Sequence, residues 1–170
     1  MNKTRKRPTV RLVALLFGML MLGWLGPDRI SAETQRVELR PLHKAPGAIQ
    51  FSLVYTVDGA TPLTTGMGIR IHYNSGAVSE LVLSDVFHQG LIVKDPKPKP
   101  DLADHDRNPE TDLFIVLAWM DIDGRWPHDA ALPLTLATVS VVQSPSKDPL
   151  RLAVSATSVP AGFSFRGGRT

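Results

Sequence analysis

The sequence predicts an all-β fold: a two-sheet antiparallel sandwich of the jelly-roll kind, preceded by an N-terminal signal peptide. Three observations carry this expectation. Beyond residue 32 the apolar residues recur with period two rather than 3.6, and turn-forming residues interrupt them roughly every 8–12 positions. No stretch sustains a helical stripe. A sheet with one apolar face needs a second layer to cover it, so a series of short strands implies two stacked sheets.

The leader comes first. Met1 to Arg11 carries five cations and no acid, Leu12 to Leu25 is uncharged and apolar, and Ile30-Ser31-Ala32 places a small residue before Glu33. This is the pattern of a secretory signal peptide over residues 1–32, leaving one domain over 33–170. The apolar run stops at Gly26-Pro27-Asp28, short of the ~20 residues a membrane span needs. The expected location is secreted, periplasmic or cell-surface, with no membrane span after cleavage. Retention of the leader as an anchor is the alternative.

Removing 1–32 takes away six cations and one anion, so the 19 basic and 16 acidic residues become 13 and 15 and the net charge moves from +3 to −2. A nucleic-acid partner, which needs a clustered basic face on the folded part, is not expected. The chain has no cysteine. That excludes disulfides, thiolate metal sites and a cysteine nucleophile.

Strand candidates follow in order: Val37 to Leu42, Ile49 to Val57, Met67 to Tyr73, Val78 to Phe87, Leu113 to Met120, Leu134 to Val142, Leu150 to Ala156 and Gly162 to Phe165. In the fourth, Leu81 and Leu83 share one face and Val82 and Ser84 the other. Asp58-Gly59 and Asn74-Ser75-Gly76 mark turns. Between the fourth and fifth candidates, Lys94-Asp95-Pro96-Lys97-Pro98-Lys99-Pro100-Asp101 alternates proline with charge and reads as an extended, solvated connection.

The next segment places side-chain oxygens at alternate positions: Asp104, Asp106, Asn108, Glu110 and Asp112. A hard cation such as calcium takes six to eight oxygens, and a turn with an oxygen at every second residue wraps them round one point. The opening resembles an EF-hand loop but departs from it, with Pro109 where that loop needs Gly and Ile115 where it needs a bidentate Glu. A calcium loop and a solvated acidic loop with Asx turns both remain open.

Four further segments occur in order: Thr65-Gly66-Met67-Gly68-Ile69-Arg70-Ile71-His72-Tyr73-Asn74-Ser75, the acidic turn through Thr111-Asp112, Ala118-Trp119-x-Asp121-x-x-Gly124-x-Trp126-Pro127, and Ala161-Gly162-Phe163-Ser164-Phe165. The set resembles cohesin-like and related immunoglobulin-like modules of exported bacterial surface proteins. The resemblance runs from about Val37 to Gly167. It implies a nine-strand jelly-roll sandwich, a non-catalytic role, and calcium at the acidic turn. Phe163 stands where such modules usually have Tyr, and Arg107 where a Gly is common.

Trp119, in an apolar run, is expected in the core with its indole N–H on a nearby carbonyl. Trp126 lies in the polar loop Asp121-Ile122-Asp123-Gly124-Arg125-Trp126-Pro127-His128-Asp129. There it either stacks on a sugar ring while Asp121 and Asp123 bond the hydroxyls, or anchors the loop. Asp121 and Asp123 could equally close the calcium shell or cap turns. Catalysis finds little support. There is no G-x-S-x-G, no H-E-x-x-H, and the histidines are scattered, with His72 expected to alternate on a strand and His105 to decorate the acidic loop.

The functional expectation is an exported, non-catalytic binding module for an extracellular protein or polysaccharide, with calcium stiffening the long loop. A structural surface or matrix protein that assembles through strand edges is the alternative, and a carbohydrate-active enzyme a weaker third.

Overall fold

The computed structural model describes residues 34–45, 48–59, 63–146, 148–158 and 163–166. The expected leader, its cleavage point, and Ala161-Gly162 of the last resemblance segment lie outside the described residues. No helix occurs among the described residues, and none is long and apolar enough to cross a membrane.

Nine strands form among the described residues: β1 (Thr34–Ala45), β2 (Ala48–Asp58), β3 (Gly66–Tyr73), β4 (Val78–Ser84), β5 (Leu91–Pro100), β6 (Leu113–Met120), β7 (Leu134–Gln143), β8 (Leu152–Ser158) and β9 (Phe163–Arg166). They make a five-stranded sheet in the order β4-β7-β2-β1-β9 and a four-stranded sheet in the order β5-β6-β3-β8. The all-β, two-sheet fold is the one the alternation predicts. The pairing is antiparallel throughout except for β1 with β9, which run parallel.

Period-two patterning places the core between the sheets. From the four-stranded sheet, Met67, Ile69 and Ile71 on β3 pair with Trp119, Leu117 and Ile115 on β6, and all six are buried. From the other sheet, Val37 and Leu39 on β1 sit opposite Tyr55 and Leu53 on β2, again all buried. On β4, Leu83 turns inward while Val82 is exposed, as the alternation requires. Trp119 is buried, and its indole N–H donates to the Phe87 carbonyl at 2.8 Å.

The proline-lysine stretch departs from expectation. Instead of a loose connection, Leu91–Pro100 is the edge strand β5, paired with β6 through register shifts at Leu91/Val93 and Asp95/Lys99. Prolines at alternate positions withhold donors along one side of a strand only, which an edge position tolerates and a central one does not. Its exposed lysines and prolines also discourage further pairing along that edge.

Candidate functional site

Position along β3 sorts its side chains. Met67, Ile69, Ile71 and Tyr73 face the core, so Gly68, Arg70 and His72 face outward from the four-stranded sheet. A histidine at such a position would ordinarily meet water, yet His72 has no exposed surface. The cover comes from the acidic loop between β5 and β6. Its base is closed by the Asp101 N–H on the Asp112 carbonyl at 2.8 Å and fixed to β3 by the Asp112 N–H on the Tyr73 carbonyl at 3.2 Å. Within it, Asp104 and Arg107 take left-handed backbone conformations with φ of 48° and 56°. These bends fold the loop back onto the sheet face.

Two carboxylates are thereby brought to His72. Its Nδ1 stands 2.9 Å from Oδ2 of Asp101 and 3.9 Å from Oδ2 of Asp106, with all three side chains essentially buried. Asp106 is too distant to accept from Nδ1, and Asp101, close enough to pull the imidazole up, misses the alignment of a full hydrogen bond, so Nδ1 is buried without one. The other ring nitrogen, Nε2, lies 2.7 Å from the Ser155 hydroxyl on β8. Phe114, opposite His72 on β6, packs against the His72 ring at 5.6 Å and the His105 ring at 5.6 Å, and the Arg70 guanidinium lies 5.5 Å over it.

The carboxylates are themselves held. Asp101 contacts the His105 ring through Oδ1, and both its oxygens accept the His105 N–H at 3.2 Å. Asp106 accepts the Thr111 hydroxyl at 2.8 Å and the Asn108 N–H at 3.3 Å. Burial pushes the His72 imidazole below its ordinary value, outweighing the two carboxylates that pull it up. Burial is also the largest influence on Asp101 and opposes its ionisation, but the His105 hydrogen bonds and the nearness of His72 together hold its carboxyl below the usual range. The group is therefore a neutral imidazole facing ionised oxygen.

The five residues of the alternating series do not converge. Asp106 alone turns to the sheet and joins the only group of three His, Asp or Glu ligand atoms lying within 4.8 Å of one another among the described residues: His72, Asp101 and Asp106. Asp104 is exposed. Asn108 accepts the Glu110 N–H at 3.2 Å, an Asx turn. Glu110 pairs with Arg151 at 2.7 Å, and Asp112 with Ser75. Alternate spacing fails to wrap a point here because the loop bends at Asp104 and Arg107 and sends its side chains to different neighbours. His72 and Asp101 were missed as site residues by sequence reasoning, because His72 shares the outward spacing of Arg70 on β3 and nothing local sets it apart.

Trp126 corrects the sugar-stacking expectation. It is fully buried, packed against Tyr55 at 5.2 Å, Trp119 at 6.0 Å and Phe87 at 6.3 Å, with its indole N–H on the Gln89 carbonyl at 3.1 Å. Neither ring face is open to a ligand, and the residue anchors its loop. Gly90 makes room for it: at φ 77°, an added Cβ would lie 2.9 Å from the indole Cδ1 and 2.9 Å from the Met120 carbonyl oxygen.

Asp121 and Asp123 do share a surface. With Ile92, Met120, Ile122, Arg125 and His128 they line a shallow concavity beside the end of β6. Asp121 lies 2.8 Å from His128 and accepts the Asp123 N–H at 2.8 Å, while Asp123 pairs with Arg125 at 2.9 Å. No family model matches the chain, and no curated protein matches it.

Proposed function

We propose that this chain is an exported, non-catalytic β-sandwich module that binds an extracellular partner through the concavity around Ile122. One observation carries the reading. Ile122 is 88% exposed, beside Ile92 at 56% and Met120 at 51%, and Asp121, Asp123, Arg125 and His128 surround them. Apolar side chains held in water next to a charged rim are the composition of a docking surface. The concavity has no open aromatic ring for a sugar to stack on, which favours a protein partner over a polysaccharide.

The leader supports export, and nine strands in two sheets support the cohesin-like resemblance. Calcium at the acidic loop is not carried into this reading, because Asn108, Glu110 and Asp112 are held by other neighbours, Asp104 is exposed, and Asp106 alone turns toward the sheet. The order Ser155, His72, Asp101 is that of a nucleophile relay, but Ser155 is 9% exposed in mid-strand, away from any sharp turn.

The test is capture of partners from the envelope of the source cell by the wild type and by Ile122→Asp. A protein retained by the first and lost by the second, with both melting alike, supports the reading. A glycan-array signal independent of Ile122, or no difference between the two proteins, sinks it.

A further inference from the structure

Beneath the acidic loop one buried nitrogen, His72 Nδ1, lacks a hydrogen-bond partner, and beside it lie two carboxylate oxygens that accept Thr111 and His105 donors. His72 Nδ1, Asp101 Oδ2 and Asp106 Oδ2 lie together in a space closed to solvent, and the imidazole nitrogen has no hydrogen-bond partner. If Nε2 donates its proton to the Ser155 hydroxyl oxygen 2.7 Å away, Nδ1 is left as a lone pair aimed at two carboxylates. In that tautomer the Nδ1 lone pair and the two carboxylate oxygens repel one another. A cation at their centre adds an attraction to each of the three that offsets this repulsion.

We propose that His72, Asp101 and Asp106 form a binding site for a divalent metal of the zinc class, which pins the acidic loop to the outer face of the four-stranded sheet. Donor chemistry selects the metal. An imidazole nitrogen suits zinc and its neighbours, whereas calcium needs six to eight oxygens, and the rest of the alternating oxygen series is directed elsewhere. Donors about 2.0–2.2 Å from one zinc ion lie roughly 3.4 Å apart in a tetrahedron. The observed separations from Nδ1, 2.9 and 3.9 Å, bracket that spacing.

The surrounding contacts are those that orient ligands. The Ser155 hydroxyl engages Nε2 and leaves Nδ1 facing the carboxylates, the His105 ring holds the other oxygen of Asp101, and Thr111 and Asn108 hold Asp106. Two carboxylates and a divalent ion sum to zero charge, which offsets the cost of burying two anions side by side. Because the ligands come from β3 and from both sides of the Asp104 bend, the metal would couple loop closure to the sheet. The inference is independent of the Ile122 surface.

Calorimetric titration of the chelator-treated protein with zinc chloride, and separately with calcium chloride, tests it. Zinc should bind with one-to-one stoichiometry and more tightly than calcium. Asp106→Asn and His72→Gln should abolish the tight site, and Ser155→Ala, which removes only the Nε2 contact, should weaken it about 10- to 100-fold. Zinc should also slow tryptic cleavage after Arg107 in the wild type and not in Asp106→Asn. If His72→Gln fails to fold, the other two variants decide. Absence of saturable zinc binding, zinc binding unchanged by Asp106→Asn because surface imidazoles took the ion, or tighter binding of calcium would each overturn the proposal.

Discussion

Asp112 grips Ser75 by both of its donors, the backbone N–H at 2.7 Å on Oδ1 and the hydroxyl at 2.6 Å on Oδ2. One carboxylate thus ties the end of the acidic loop to the β3–β4 turn, and it is spent on that contact. Removing the hydroxyl alone, Ser75→Ala, should cost about 0.5–1.5 kcal/mol, the net worth of one hydrogen bond. Asp112→Ala should cost more, roughly 1–3 kcal/mol, because both Ser75 donors lose a charged acceptor while the backbone bonds of the loop base remain. Urea denaturation of both variants checks the order. Equal or negligible losses would mean water replaces the carboxylate fully.

A second prediction follows from where Trp126 sits. Trp126→Ala should destabilise the fold by about 3–5 kcal/mol, the range for emptying a large aromatic site in a core. Trp126→Phe should recover much of that while leaving the Gln89 carbonyl without its donor. A variant that kept full stability but lost partner binding would return the ring to a ligand-contacting role.

The strands were legible because alternation records which face is buried, and core burial is what alternation encodes. β5 was hidden because Pro96, Pro98 and Pro100 argue against a strand unless it is known to lie at an edge, and edge position is a tertiary fact. The candidate site was hidden for a related reason. His72 occupies an outward position, where a polar residue looks solvated, and nothing local to β3 announces that a loop from beyond β5 returns to cover it. Asp106 was picked out for its spacing, although its contacts depend on the bends at Asp104 and Arg107 rather than on the alternate series. Trp126 sat among polar residues in the sequence, yet its backbone pairs with Thr64 at 2.8 and 3.0 Å and carries the ring into the core.

Arg107 offers a change that should gain stability. Its φ of 56° is glycine-like, a conformation costing a residue with a Cβ about 1–2 kcal/mol. Glycine pays back roughly 0.5–1 kcal/mol through the freer unfolded chain. Arg107→Gly should therefore raise stability by about 0–1.5 kcal/mol, the difference between those two terms. Thermal melting measures it. A clear loss would mean the exposed guanidinium makes a contact worth more than the backbone strain.

Acidification should weaken the metal-free fold in two stages of the same sign. His72 keeps a folded value below the ordinary 6.5, because burial disfavours its cation more than Asp101 and Asp106 favour it, with Arg70 adding to the depression. Below 6.5 the unfolded chain takes up a proton that the folded chain refuses, so the unfolded state binds more protons and stability falls as pH drops. Asp101 follows lower down: its folded value lies below 3.8, so its contribution is full above that pH and is lost as pH falls further. Urea midpoints of the chelator-treated protein from about pH 7.5 to about pH 5 isolate the first stage. The wild-type midpoint should fall across that window, and the fall should flatten in His72→Gln, which has no imidazole to protonate. A wild-type midpoint that rose on acidification would mean that His72 is held as a cation by its two carboxylates.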